Sequence, residues 1–202
     1  MGKSSKFLRK LLTGLLSVAL LATPVSALQP AAEVEAASVS TIKNGTILHA
    51  FCWSFNTIKA NMADIAAAGY TAIQTSPINA CESSQSGMTL YGNNGKWYYH
   101  YQPTDWKIGN YQLGTRDQFA SMCQEADKYG IQIIVDVVPN HTVPNTSHVA
   151  SGLKNSVGGN INNLYHSTGF TECNDYNDRL KNTRYQICGL PDVDTENAGF
   201  QN

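Results

Sequence analysis

The sequence predicts an α/β fold in which short apolar strands lie in parallel and helices cover them. Three observations predict it. Apolar runs of strand length recur at "TILHAF", "TAIQTSP" and "IQIIVDVV". Apolar residues at helical spacing stand between them. Each helical stretch closes on a glycine, Gly69 or Gly130, a residue type that ends helices readily. Strands bridged by helices pair in parallel, with right-handed crossovers.

The chain has 202 residues and a formal charge of -1, enough for one ordinary domain. Residues 1–27 carry Lys3, Lys6, Arg9 and Lys10, then an apolar run over 11–22, then Val25-Ser26-Ala27. That is the pattern of a secretory signal peptide, with an apolar part too short to span a membrane comfortably. The competing readings are a membrane anchor, or cleavage later, near Ala36 or Ala37. Removing 1–27 takes away four positive charges and no negative ones, which leaves 10 against 15. A mildly acidic, exported chain follows, with no basic surface for nucleic acid. Residues 28–41 read as a small-residue leader.

The first strand covers 46–51. Phe55, Ile58, Met62, Ile65 and Ala66 then share one helical face, and Pro77 closes the second strand. Residues 78–114 form a long loop. Trp97, Tyr98, Tyr99, Tyr101, Trp106 and Tyr111 make it too aromatic for disorder, so a functional loop is expected. Thr115 and Gln118 stand at capping-box spacing. Phe119, Met122, Cys123, Ala126 and Tyr129 form the next apolar stripe, and the third strand spans 131–138. Beyond Thr142 the chain is rich in Asn, Gly and Ser with little periodicity. Three strands do not close a barrel. Either further sequence completes the sheet, or the protein is a small open α/β domain.

In parallel α/β folds, functional groups gather where strands end. There the third strand delivers Asn140 and His141, with Asp136 inside its apolar run. A buried acid needs a partner, so Asp136 is expected to be a hydrogen-bonded structural anchor. Pattern alone equally allows Asn140 as a turn cap, His141 as a satisfied loop histidine and Asp192 as a surface acid. Asp192, Asp194 and Glu196 in "DVDTE" look like paired carboxylates for glycoside chemistry, which in a retaining pair stand about 5–5.5 Å apart.

"DVVPNH", "GYTAIQTSPI" and "GLPDVD" resemble, in order and spacing, signature regions of the α-amylase family of glycoside hydrolases. "YQPTDWKIGN" is similar to secreted Gram-positive bacterial members. The likeness runs from about Thr41 to the end. It implies a partial (β/α)8 TIM barrel: residues 42–141 supply the first three strands, and 142–202 form domain B, inserted after strand three. It implies a structural calcium held by Asn140, Asp192 and a backbone carbonyl near Thr183, with a further ligand beyond Asn202. It also implies sugar contacts from Tyr101, Gln102 and His141, and from Trp97 and Tyr98 at further subsites. The family's catalytic acids lie on strands four, five and seven, and Asp192 goes to calcium. No catalytic residue is therefore expected in this chain, which reads as an inactive amino-terminal fragment.

The implied parent is a secreted, monomeric enzyme that cuts internal α-1,4 bonds of starch or maltooligosaccharides and has no membrane partner once the signal is removed. The alternatives are a family transglycosylase and a non-catalytic starch-binding protein. Export permits disulfides. Cys173 and Cys188, close together in domain B, are one candidate pair. A loop near 15 residues would contribute about 3 kcal/mol. Cys52 and Cys81, which follow neighbouring strands, are another. Cys123 is expected as a buried free thiol.

Overall fold

Strand β1 (Ile47–Ala50), strand β2 (Ala72–Thr75) and strand β6 (Gln132–Ile134) pair in parallel in the order β1-β2-β6. Ile47 stands beside Ala72, and Ala72 beside Gln132. This computed structural model describes residues 44–84 and 95–201. The expected signal peptide (1–27) and leader (28–41) lie outside the described residues.

The first crossover is two helices, not the expected one. Ser54 caps α1 (Phe55–Ala60) by accepting from the Thr57 N–H. Asn61 then leaves helical geometry and donates its side-chain amide back to the Thr57 carbonyl at 2.8 Å. Such side-chain bonds compete with the helical ladder. Helix α2 (Met62–Ala67) resumes at once and is followed, after Ala68, by Gly69, whose φ of +85° suits a residue without a Cβ. The second crossover is α3 (Arg116–Lys128), and both bonds of the Thr115–Gln118 capping box are made. Phe55, Ile58, Met62 and Ile65 meet Met122 and Ala126 over Ala50 and Ile73 in one buried cluster. The α3 stripe is narrower than expected. Phe119 and Cys123 are only partly buried, and Tyr129, at the helix end, is exposed.

Two stretches differ from expectation. The third strand pairs over only three residues, because the ladder to β2 ends at Ile134 and no strand covers its other edge among the described residues. Val137, past the ladder, is 62% exposed. The long loop contains antiparallel structure: β3 (Asn79–Cys81), β4 (Pro103–Asn110) and β5 (Gly114–Thr115), with an irregularity between Asn79 and Cys81. β4 starts on a proline and buries no regular alternation of residues, so periodicity does not reveal it.

The segment after β6 has its own core. Val143, Val149, Val157, Leu164, Tyr165 and Val193 are buried together, with Trp106 of β4 and Phe200 packed against them. Around them stand α4 (Ser151–Ser156), α5 (Arg179–Arg184), α6 (Ala198–Gln201) and several 3-10 turns, capped by Asn145, Asn160 and Asp178.

Neither expected disulfide forms; all five cysteines are free. Cys173 is buried, and its thiol faces the Asp175 carbonyl and Asn182 Oδ1, while Cys188 sits exposed. Cys52 and Cys81 are both buried without bridging. Burial, with help from Glu82, pushes the Cys81 thiol up to about 12, so it stays protonated.

Candidate functional site

A 3-10 turn over Trp97–Tyr101 builds an aromatic shelf beside the exit of β6. The turn splits its side chains: Tyr99 and His100 face inward, while Trp97 is 47% and Tyr98 36% exposed. Trp97 meets Tyr98, Tyr101 and Phe51 at ring separations of 6.0, 6.1 and 5.8 Å. Tyr101 is held at two points. Its hydroxyl donates to Asp136 Oδ2 at 3.0 Å, and its carbonyl accepts from His141 Nε2 at 3.0 Å. Asp136 thus has the hydrogen-bond partner its position requires. Gln102 follows half-buried, and its carbonyl accepts from the Glu82 N–H.

Burial, then the Asp136 carboxylate, pushes the Tyr101 hydroxyl up to about 12. Burial lowers the pKa of His141, opposed by the Tyr101 carbonyl and by Asp192. At neutral pH Tyr101 and His141 are therefore uncharged, their protons directed to Asp136 and to the Tyr101 carbonyl, beside exposed aromatic faces. That combination suits a ligand with apolar faces and hydroxyl edges.

A short antiparallel bridge joins His141 to Asp192, and the Val193 N–H donates to the Asn140 carbonyl at 2.9 Å. The bridge places Asp192 behind the shelf, 1% exposed. Its Oδ2 accepts from His166 Nδ1 at 2.7 Å, while Oδ1 is buried without a hydrogen-bond partner. Burial raises its pKa; His166 and the Asn140 side chain work against that rise. Asn140 and Thr183 line one cavity of about 580 Å³ with His166, Arg184 and Glu196. Thr183 lies on α5, its hydroxyl turned back to the Arg179 carbonyl at 3.0 Å. A buried carboxylate oxygen with no hydrogen bond of good geometry, beside an amide side chain that carries a second oxygen, fits a hard cation that takes oxygen ligands.

The sequence model of the family described as "Alpha amylase, catalytic domain" matches residues 55–169. The chain belongs to the α-amylase family. It is 62% identical over 161 residues to an alpha-amylase of Butyrivibrio fibrisolvens, covering 80% of this chain and 16% of that one. It is 44% identical over 161 residues to an alpha-amylase of Clostridium acetobutylicum, covering 79% and 20%. The chain thus spans a fifth or less of the length of these relatives. A mutant of alpha-amylase I from Eisenia fetida, solved with maltohexaose, shares the fold with a TM-score of 0.60 at 23% identity, over 78% of this chain and 33% of that one.

Within this α-amylase-family chain, the "DVDTE" acids are already engaged. Asp192 holds His166; Asp194 Oδ1 accepts from the Glu196 N–H at 3.2 Å; Glu196 pairs with Arg184 at 3.1 Å. His166 was not singled out by sequence reasoning, because no ligand spacing or periodicity surrounds it. The same holds for the pair of buried Glu82 with exposed His148 at 2.7 Å.

Proposed function

We propose that this chain is the amino-terminal part of a secreted α-amylase that hydrolyses internal α-1,4 bonds of starch and maltooligosaccharides. In this reading β1, β2 and β6 are the first three strands of a (β/α)8 barrel, and residues 142–202 form domain B. The observation that carries it is Tyr101, an aromatic ring at the strand exits held by Asp136 on one side and His141 on the other. A pyranose ring stacks on Tyr101 while His141 and Gln102 read its hydroxyls; Trp97 and Tyr98 extend the track. The Eisenia structure, with maltohexaose bound, supports this class of ligand.

Calcium fits the second half of the site. Asn140 Oδ1, Asp192 Oδ1 and the Thr183 carbonyl would hold it, and the ion would bind the region after β6 to the strand exits. In this reading the positioned acid and nucleophile that glycoside cleavage needs come from parts of the longer protein. The test uses that longer protein with soluble starch. His141→Ala should lower kcat/KM by about ten- to a hundredfold through lost transition-state contacts. The 202-residue polypeptide should by itself release no reducing ends. Activity of this polypeptide that disappears with Asp194→Asn would overturn the reading, since "DVDTE" would then be catalytic.

A further inference from the structure

We propose a second metal site in this chain, for a borderline transition cation of the Zn²⁺ class, formed by His166 Nε2, Asp194 and Glu196. The three offer one ligand atom each, all within 4.8 Å of one another. His166 Nε2 stands 3.4 Å from Asp194 Oδ1 and 4.0 Å from Glu196 Oε2. Tetrahedral zinc with bonds of about 2.1 Å separates its ligand atoms by about 3.4 Å. The cluster therefore needs a contraction at Glu196, whose side chain is exposed and paired only at the surface with Arg184.

The imidazole is an independent sign of a ligand. The His166 side chain is 9% exposed, and its Nε2 is buried without a hydrogen-bond partner. Its Nδ1 donates to Asp192 Oδ2 at 2.7 Å, which orients the ring so that Nε2 faces Asp194 and Glu196. A carboxylate that orients a histidine whose other nitrogen binds metal is a recurrent arrangement around zinc.

The mixed nitrogen and oxygen donors set the class of ion. Imidazole favours Zn²⁺, Co²⁺ or Ni²⁺, whereas calcium takes oxygen alone. Arg184 competes for Glu196, but that pair is exposed, at 41% and 70% for the two side chains, so it is weak and easily exchanged. The site opens into the same cavity as Asn140 and Thr183, which gives the ion a path from solvent.

The experiment uses the purified protein, stripped of transition metal, with Ca²⁺ kept in excess throughout. Co²⁺ alone is titrated in and then displaced with Zn²⁺. One equivalent of Co²⁺ should produce visible ligand-field absorption that Zn²⁺ removes. Glu196→Gln and His166→Ala should each weaken Co²⁺ binding at least tenfold, and Asn140→Ala should leave it within twofold. Because Glu196 is exposed, its variant keeps the far-ultraviolet dichroism of the parent and serves as the control for folding. No absorption at one equivalent overturns the proposal. So does loss of binding in Asn140→Ala with none in Glu196→Gln, which would place the ion at the oxygen site. Starch hydrolysis does not enter the readout, so this test and that of the proposed activity fail separately.

Discussion

His100 shows how a single residue can set a pH limit. It is wholly buried, and neither ring nitrogen makes a hydrogen bond of good geometry. Burial lowers its pKa, with Gln112 opposing weakly. The sign follows from linkage: the unfolded chain takes up the proton at about pH 6.5, before the folded one does, so stability falls as pH drops through that value. Replacing a buried polar group that lacks partners by an apolar one of similar size is neutral or stabilising. We therefore expect His100→Leu to melt at or above the parent at pH near 7, with the gap widening toward pH ~5. Thermal unfolding at the two pH values checks this; a variant that loses stability equally at both would show that the imidazole is needed for packing.

Among elements, α3 rests on its start. The Thr115 hydroxyl accepts from the Gln118 N–H at 3.2 Å, and Gln118 returns a bond to the Thr115 N–H at 2.9 Å. Thr115→Ala should cost about 1 kcal/mol, read as a lower urea midpoint with an unchanged slope. This helix was legible in the sequence because cap, stripe and Gly130 agree. β1 and β2 were legible as apolar runs, and Asp136 as an acid that must find a partner. β4 was not, since its proline, aspartate and glycine follow no period and its pairing with β3 is tertiary. Asn61 divides a helix that periodicity draws as one, because a single amide can replace a ladder bond. Within the site, Asn140, His141 and Asp192 were visible through resemblance. His166 became visible only when folding placed it between Asp192 and Asp194.

At the scale of the molecule, two cores meet along β4. Trp106 donates to the Val138 carbonyl at 2.8 Å, and the Val143 and Ala150 N–H groups reach the Pro103 and Thr104 carbonyls at 2.9 and 2.8 Å. The Glu82–His148 pair adds a further tie; burial opposes the Glu82 charge, but bonds from His148, Ser84 and Ser83 outweigh it and hold the carboxyl below its usual range. A calcium ion between Asn140 and Asp192 would reinforce the same junction. In the parent α-amylase proposed above, Asn140→Ala or Asp192→Ala should remove most of the rise in Tm on adding Ca²⁺. An identical calcium response in parent and variants would show that neither residue is a ligand.

The tilt of Trp97 out of the shelf has an optical consequence. The chain has three tryptophans; Trp53 and Trp106 are half-buried, while Trp97 is 47% exposed against Tyr101. Its indole emission therefore reports mostly on water, and a sugar laid across the shelf would exclude that water. Titration with a maltooligosaccharide should shift the emission to shorter wavelength and saturate, with Trp97→Phe abolishing the shift. Such a shift would make Trp97 a fluorescent gauge of the proposed occupancy, readable without any bond being cut.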